Sequence, residues 1–294
     1  MTDNAIGLAP PEYRLPDATH VGRVRLQVSD LARSIAYYEK VLGLRVIDRS
    51  DASASLAPNG ETRALIELSE KPGARAVPRR GLLGLYHFAV LFPDRAALGR
   101  FVVHLSEIGE YAGMSDHLVS EAIYLTDPDG LGIEVYADRP RSTWRAVERQ
   151  IEMTTKPLDV QNLVAAAKGE KWTGAPAGTK MGHVHFYVGD IEQAEAFYHR
   201  ALGLDKIVWN YPGALFLSAG GYHHHVGTNT WAAGAPVATE NDARLLDWEL
   251  VLPDAASTED VVKSVEAAGH KVDRDADGIT VTDPWGIRVR LSAA

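Results

Sequence analysis

The alternation of hydrophobic and polar positions repeats four times along the chain. Each repeat begins with an apolar segment typical of a strand, which ends at an aspartate that starts a helix. The four segments are Val24–Asp30, His87–Asp94, His183–Asp190 and Asp247–Asp254. Similar helical patterns follow the first and third segments, and both end in Leu-Gly-Leu. Internal repetition on this scale predicts four βαβββ modules and an α+β fold.

The modules predict two domains joined by a linker. We expect an N-terminal tail at 1–19, modules one and two at 20–138, a linker at 139–179, and modules three and four at 180–294. A short helix is predicted in the linker near Val160–Lys168. Sheets built from such modules curl into half-open barrels and must pair to cover their concave faces. A functional site would therefore be lined by two modules.

The turn Asp127-Pro-Asp-Gly130 lies between two predicted strands, 122–126 and 131–136. If Gly130 forms a bulge, Tyr124 faces Glu134 across the two strands. A plain four-residue loop would instead pair Tyr124 with Ile133 and turn the glutamate to the other face. We favour the bulge, because a carboxylate between Ile133 and Val135 needs a partner or a metal ion. With His117 nearby, this combination of side chains indicates a mononuclear non-haem iron site.

Composition narrows the classes of protein that fit. The chain has 294 residues, of which 46% are hydrophobic, so it can bury a full core. It has no cysteine, which excludes disulfides, zinc–thiolate sites, iron–sulfur clusters and cysteine nucleophiles. A net charge of −9 argues against a broad nucleic-acid interface. We find no long apolar run and no signal-peptide pattern in residues 1–19, and we expect a soluble cytoplasmic protein that does not enter membranes.

The modular pattern resembles the vicinal oxygen chelate superfamily, specifically its extradiol ring-cleaving dioxygenases of the catechol 2,3-dioxygenase type. The segment from His117 to Glu134 is similar to the signature of those enzymes: His, a short gap, Ile-Tyr, two residues, Asp-Pro-x-Gly, three residues, Glu. It departs at Ser115, where glycine or another residue is commoner. The resemblance covers nearly the whole chain outside the tail and the linker.

The resemblance implies a set of metal ligands. Family members bind iron with a histidine early in the first strand of each of two modules and a glutamate from a last strand. The corresponding first-strand positions, seven residues before each helix-starting aspartate, are Arg23, His87, His183 and Asp247. The last-strand position holds Glu134 in module two and Arg290 in module four. The implied ligands are therefore His87, His183 and Glu134, with Fe(II) as the metal.

This ligand set has a consequence for the pairing of modules. We expect module two to pair with module three, and module one with module four, since neither outer module offers the ligands. An ion pair between Arg290 and Asp247 is expected in the outer pair. Each histidine taken alone is more often a packed core residue than a ligand, so the interpretation depends on the positions taken jointly.

Further catalytic residues are implied by the same resemblance. The run His223-His224-His225 would lie on a strand facing the site, with His223 and His225 sharing one face. His225 would handle protons and His223 would be its neighbour in the pocket. His117 would fix the substrate, and Tyr124 would donate a hydrogen bond toward bound oxygen. The sequence assigns no fixed role to His185.

The first hypothesis is Fe(II)-dependent extradiol cleavage of a catechol-type aromatic with dioxygen, as in the breakdown of aromatic compounds. The alternatives with the same fold are a glyoxalase-like isomerase or lyase, using Ni, Zn or Mn and typically two carboxylates, and a non-enzymatic protein that binds a small aromatic or drug. Glu67 is the main residue that favours the glyoxalase alternative. The expected partners are a small aromatic diol and dioxygen. A homo-oligomer is compatible with the sequence, which does not determine the substrate's substituents.

Overall fold

The computed structural model of the protein describes residues 6–276 and 278–294. The four helix-starting aspartates predicted from the sequence are helix N-caps. The side chains of Asp30, Asp94, Asp190 and Asp254 each accept a hydrogen bond from the backbone N–H three residues on, at 2.9, 2.7, 2.8 and 2.7 Å. Each cap satisfies a helix N–H that lacks an intrahelical partner. An aspartate therefore marks the point between the first strand and the helix in all four modules.

The strands follow the four modules and the linker. Module one has β1 (His20–Val28), β2 (Arg45–Arg49), β3 (Ser53–Ala57) and β4 (Ile66–Glu70). Module two has β5 (Gly84–Leu91), β6 (Gly113–Asp116), β7 (Ser120–Thr126) and β8 (Gly132–Asp138). The linker has β9 (Ala146–Val147) and β10 (Gln150–Ile151). Module three has β11 (Lys180–Tyr187), β12 (Asp205–Val208), β13 (Ala214–Ser218) and β14 (Val226–Asn229). Module four has β15 (Arg244–Leu252), β16 (Val272–Asp275), β17 (Gly278–Thr282) and β18 (Arg288–Ala293).

Each module has its helix after its first strand. The helices are α1 (Leu31–Lys40), α2 (Arg95–Ile108), α3 (Val160–Ala166), α4 (Ile191–Ala194) and α5 (Ala255–Ala267), with a 3-10 turn at Arg141–Thr143. In module three α4 continues as a π-helix, Glu195–Ala201. The linker helix predicted near Val160–Lys168 is α3. None of the helices in the described residues has the length and apolar character needed to cross a bilayer.

The strands of the described residues form two eight-stranded sheets and a small β9–β10 hairpin. The inner sheet, from modules two and three, has the order β12-β13-β14-β11-β5-β8-β7-β6, and the outer sheet, from modules one and four, has the order β16-β17-β18-β15-β1-β4-β3-β2. Both sheets are joined at their centre by an antiparallel pair of first strands, β5 with β11 and β1 with β15. The predicted pairing of the inner modules and of the outer modules is confirmed. The predicted division into two domains along the chain stays a prediction, since each sheet takes strands from both.

The turn between β7 and β8 has the geometry expected of the bulged form. The N–H of Asp127 donates to the carbonyl of Leu131 at 2.9 Å, and Tyr124 pairs directly with Glu134. Gly130 has φ +85°, and a Cβ there would lie 2.8 Å from the carbonyl oxygen of Val77. Only glycine meets both requirements without strain. The turn therefore sets the face on which Glu134 projects.

Alternation along the central strands separates core residues from site residues. On β5 the side chains of Phe88 and Val90 are in the main hydrophobic core, and on β11 the side chains of Val184 and Phe186 are there as well. Successive side chains of a strand point to opposite faces, so His87 and His183 lie on the other face of the sheet. Ile133 and Val135 flank Glu134 in the same way. Burial of the apolar residues thus fixes the orientation of the polar ones.

Candidate metal centre

Three buried side chains from three adjacent strands converge on one point. Nε2 of His87 on β5 lies 3.0 Å from Oε2 of Glu134 on β8, and Nε2 of His183 on β11 lies 3.3 Å from the same oxygen. The potential ligand atoms of the three residues all lie within 4.8 Å of one another. The structure therefore brings together the three residues that the sequence predicted as metal ligands.

The protonation states of this group suit metal binding. Burial alone would raise the pKa of the Glu134 carboxyl, but the imidazoles of His183 and His87 beside it hold the pKa well below its usual range. Burial lowers the pKa of His183 to about 4, against the opposing attraction of Glu134. At neutral pH the group therefore offers a carboxylate and an uncharged imidazole, which are the forms that bind metal ions.

The hydrogen bonding of the group also fits a bound ion. Nε2 of His87 is buried and has no hydrogen-bond partner among the described residues, although it lies close to Glu134. Leaving a buried polar atom unpaired costs about 1–3 kcal/mol. A metal ion would satisfy that nitrogen. Two imidazoles and one carboxylate, with open positions opposite, is the ligand set of mononuclear non-haem Fe(II) sites.

A cavity of about 240 Å³ opens onto His87 and Glu134. Five aromatic side chains line it: Tyr86, Tyr124, Tyr211, Phe216 and Trp231. They come from both inner modules. The linker adds Met153, Thr154 and Thr155 to the wall. Aromatic walls beside a few convergent polar groups suit a small planar ligand.

His117 and Tyr124 form one hydrogen-bonded unit at the wall of this cavity. Nδ1 of His117 is 2.8 Å from the carbonyl oxygen of Thr154, and its Nε2 is 2.6 Å from the Tyr124 hydroxyl. Because a carbonyl can only accept, the proton of the neutral imidazole is on Nδ1 and the tyrosine O–H donates to Nε2. Burial and the Glu134 charge raise the pKa of Tyr124 well above its usual value, so the phenol stays protonated.

The triple-histidine run is oriented differently from the sequence expectation. His224 lines the cavity, with its ring centroid 4.0 Å from that of His183, whereas His223 and His225 do not line it. The expectation assumed a strand, but β14 begins only at Val226, and residues 221–225 are irregular. Alternation therefore does not apply there.

Comparison with known proteins shows the family to which the chain belongs. The glyoxalase/bleomycin resistance protein/dioxygenase superfamily matches residues 20–135 and 180–291. The chain belongs to this superfamily. The resemblance to the vicinal oxygen chelate proteins is thus confirmed.

Relatives within the superfamily extend over most of the chain. A catechol-2,3-dioxygenase of Bacillus subtilis (strain 168) is 45% identical over 270 residues, covering 90% of this chain and 94% of the relative. A solved structure from Bacillus subtilis subsp. subtilis str. 168 has a TM-score of 0.65 at 13% identity, covering 95% of this chain and 86% of that one. Glyoxalase I from Zea mays has a TM-score of 0.54 at 19% identity, covering 93% and 92%. The two structures show the fold alone.

In this superfamily member the outer sheet has ion pairs where the inner sheet has the candidate ligands. Nε of Arg23 lies 3.0 Å from Oε1 of Glu67, and its Nη1 lies 3.3 Å from Oδ1 of Asp247. Nε of Arg290 lies 3.8 Å from the same Asp247 oxygen, as expected from the sequence. In the outer sheet the guanidinium groups of Arg23 and Arg290 thus lie where a metal ion would lie in the inner sheet, and they neutralise the carboxylates of Glu67 and Asp247.

Several parts of the cavity were not predicted from the sequence, among them the aromatic residues Tyr86, Tyr211, Phe216 and Trp231. His224 was set aside in favour of its neighbours, although Gly220-Gly221 just before the run signals a turn rather than a strand. Both glycines have left-handed φ values, +61° and +65°. The linker residues Met153–Thr155 carry no sequence signal that would have assigned them to the wall. His185, which the sequence places on the same strand face as His183 without assigning it a role, also lines the cavity.

Proposed function

We propose that the chain catalyses Fe(II)-dependent extradiol cleavage of a catechol-type aromatic with dioxygen. The observation that carries the proposal is the buried trio of His87, Glu134 and His183 at an aromatic-lined cavity. The 45% identity to a catechol-2,3-dioxygenase supports the same reaction. The proposed substrates are a small aromatic diol and dioxygen.

The strand register favours three ligands over four, and so favours the dioxygenase over the glyoxalase-like alternative. In each module the last strand pairs with the first strand at a position five residues before the N-cap aspartate, and these partners are Glu67, Glu134, Gly227 and Arg290. Within the inner sheet, Gly227 is therefore the counterpart of Glu134. A Cβ on Gly227 would lie 2.8 Å from Cγ of His185. A second carboxylate ligand does not fit there, which leaves coordination positions free for two substrates.

Fe(II), when bound, supplies the electron-transfer chemistry that lets dioxygen react with an aromatic diol. The contribution of the chain is to hold the diol and to move its protons. We propose that Tyr86, Phe216 and Trp231 hold the aromatic ring, since all three line the cavity. His117, whose two ring nitrogens are both hydrogen-bonded, orients the Tyr124 hydroxyl, and the oxygen of that hydroxyl then accepts from a hydroxyl of the substrate.

A chain of hydrogen bonds makes His224 the best candidate for the proton-handling role predicted for His225. Oδ1 of Asp138 lies 3.0 Å from Nε2 of His223, and Nδ1 of His223 lies 2.8 Å from Nδ1 of His224. The carboxylate accepts from Nε2–H of His223, so Nδ1 of that ring accepts from Nδ1–H of His224. Nε2 of His224 is then unprotonated. We propose that it accepts a proton from a substrate hydroxyl and returns it when the ring opens.

The decisive experiment measures iron content and oxygen uptake together. Protein loaded anaerobically with Fe(II) should consume dioxygen when catechol is added in air and form a yellow ring-opened product. Glu134→Gln should lose both iron and activity, because it removes the anionic ligand. Glu67→Gln is the matched control, since Glu67 has the same register position in the outer sheet and pairs with Arg23.

The proposal fails if the iron-loaded protein cleaves no member of a panel of substituted catechols. Turnover of a thiol adduct by protein loaded with Ni, Zn or Mn, without oxygen uptake, would instead support the glyoxalase-like alternative.

A further inference from the structure

A second cavity, of about 460 Å³, lies where the two sheets meet. Its walls include Val21–Arg23 of β1 in the outer sheet and Lys180–Gly182 of β11 in the inner sheet. Arg141 from the linker and the pair Tyr222 and His225 complete it. It shares no lining residue with the cavity at the candidate metal centre. The proposed function makes no use of this second cavity.

The second cavity is rich in basic side chains. Glu61 is the one acidic side chain among its lining residues, all of which belong to the described part of the chain, whereas the basic ones are His20, Arg23, Arg63, Arg141, Lys180 and His225. Arg23 and Arg63 are already paired with carboxylates of β15. The ammonium group of Lys180 has no hydrogen-bond or ion-pair partner among the described residues, and it remains available to an anion.

His225 offers a hydrogen-bond donor to the same cavity. The side chain is 8% exposed, and its Nδ1 accepts a hydrogen bond from the N–H of Ala219 at 3.2 Å. Burial, together with the nearby guanidinium of Arg141, lowers the pKa of His225 to about 3. The imidazole is therefore neutral with its proton on Nε2, and no described residue accepts from that N–H. The Arg141 guanidinium, which disfavours a second proton on this ring, favours an anion beside it.

The remaining wall is apolar, which distinguishes an organic anion from an inorganic one. Val21, Leu65, Leu91 and Met181 line the cavity beside the cations. An inorganic phosphate would leave these side chains against water, whereas a carboxylate with a short hydrocarbon chain would cover them. We propose that this cavity binds a small organic carboxylate, with Lys180 and Arg141 pairing with the carboxylate and Nε2–H of His225 donating to it.

The test uses hexanoate as the probe, titrated calorimetrically into the full-length, metal-loaded protein. Hexanoate should bind, and 1-hexanol, which has the same chain without the charge, should bind far more weakly. Lys180→Gln should weaken hexanoate binding by about fivefold, the upper value for one solvent-exposed ion pair. Lys171→Gln, an exposed lysine outside the lining of this cavity, is the control and should bind as the wild type does.

Two further variants separate this cavity from the metal centre. Glu134→Gln should still bind hexanoate, because the probe does not depend on the metal. His225→Phe, which keeps the ring but removes the donor, should weaken binding. The proposal is overturned if 1-hexanol binds as well as hexanoate, if Lys180→Gln has no effect, or if Glu134→Gln abolishes binding.

Discussion

The substitution His224→Phe tests the reassignment of the proton-handling residue. The phenyl ring keeps the shape of the side chain, which packs against His183 at a centroid distance of 4.0 Å and against Phe216 at 5.0 Å. It removes the nitrogen proposed to accept a proton. General acid–base groups typically contribute 10²–10⁴-fold to rate, so kcat per bound iron should fall by that factor, or about 3–5 kcal/mol of barrier.

The cost of the same substitution to folding is smaller. It removes one hydrogen bond of 2.8 Å and leaves Nδ1 of His223 unpaired, which corresponds to about 1–3 kcal/mol of the free energy of unfolding. Oxygen uptake normalised to iron content separates the two effects, and thermal unfolding measures the second. Because the metal ligands are unchanged, iron content should stay at the wild-type value.

His199→Phe is the matched control for this experiment. His199 is also buried, and its Nδ1 makes one hydrogen bond of 2.7 Å to the carbonyl of Leu204, away from both cavities. It should lose comparable stability and keep wild-type kcat per iron. Full activity in His224→Phe, with the loss appearing instead in His225→Phe, would refute the role of His224 as the proton acceptor and favour the sequence prediction.

Three other substitutions probe different parts of the molecule. Burial raises the pKa of Asp127 to about 6 in the folded protein, whereas its value in the unfolded chain is about 4. The folded state therefore gains stability from the protonated carboxyl below pH 4, and this stabilisation is lost as the pH rises through 6. Asp127→Asn should therefore reduce the fall in the free energy of unfolding between pH 4 and 6 by up to about 3 kcal/mol in denaturant unfolding, and an unchanged slope would contradict this. Met153→Ala shortens a side chain of the cavity wall and so enlarges the cavity. The ratio of kcat/KM for a 4-alkylcatechol to kcat/KM for catechol should rise by about tenfold in steady-state assays. Asp247→Asn leaves the guanidinium groups of Arg23 and Arg25 without their buried partner and should cost about 3–5 kcal/mol in denaturant unfolding, with iron content unaffected.

The three predicted ligands that the structure brings together have positions that depend on regular geometry. The resemblance to the family supplied the ligand position in the first strand, and counting back from Asp94 and Asp190 transferred it to His87 and His183, because a strand followed at once by an N-capped helix leaves a constant spacing. The orientation of Glu134 followed from the turn, since Asp127-Pro-Asp-Gly has one bulged form that pairs the carboxylate with a polar neighbour. In both cases local backbone rules determine where a side chain points.

The parts that could not be predicted depend on contacts between distant and irregular segments. The backbone around His224 follows a turn rather than a strand, so period-two alternation gives the wrong face. Thr154 reaches the site because the linker pairs Lys156 with Asp116 through two backbone hydrogen bonds of 2.9 Å. Those bonds involve only main-chain atoms, so no pattern of side chains in the sequence predicts them.

The nested arrangement of the sheets has a consequence for the order in which a newly made chain can fold. The inner sheet needs β5 to β14 and is complete once residue 229 has been made, whereas β1 must wait for β15, which begins at residue 244. Until then module one lacks the partner that covers its central strand. Such long-range strand pairing slows folding and leaves an open strand edge that can pair with other chains. The strands that hold the candidate metal ligands can thus pair before the outer sheet is complete, while module one needs protection from aggregation until β15 has been made.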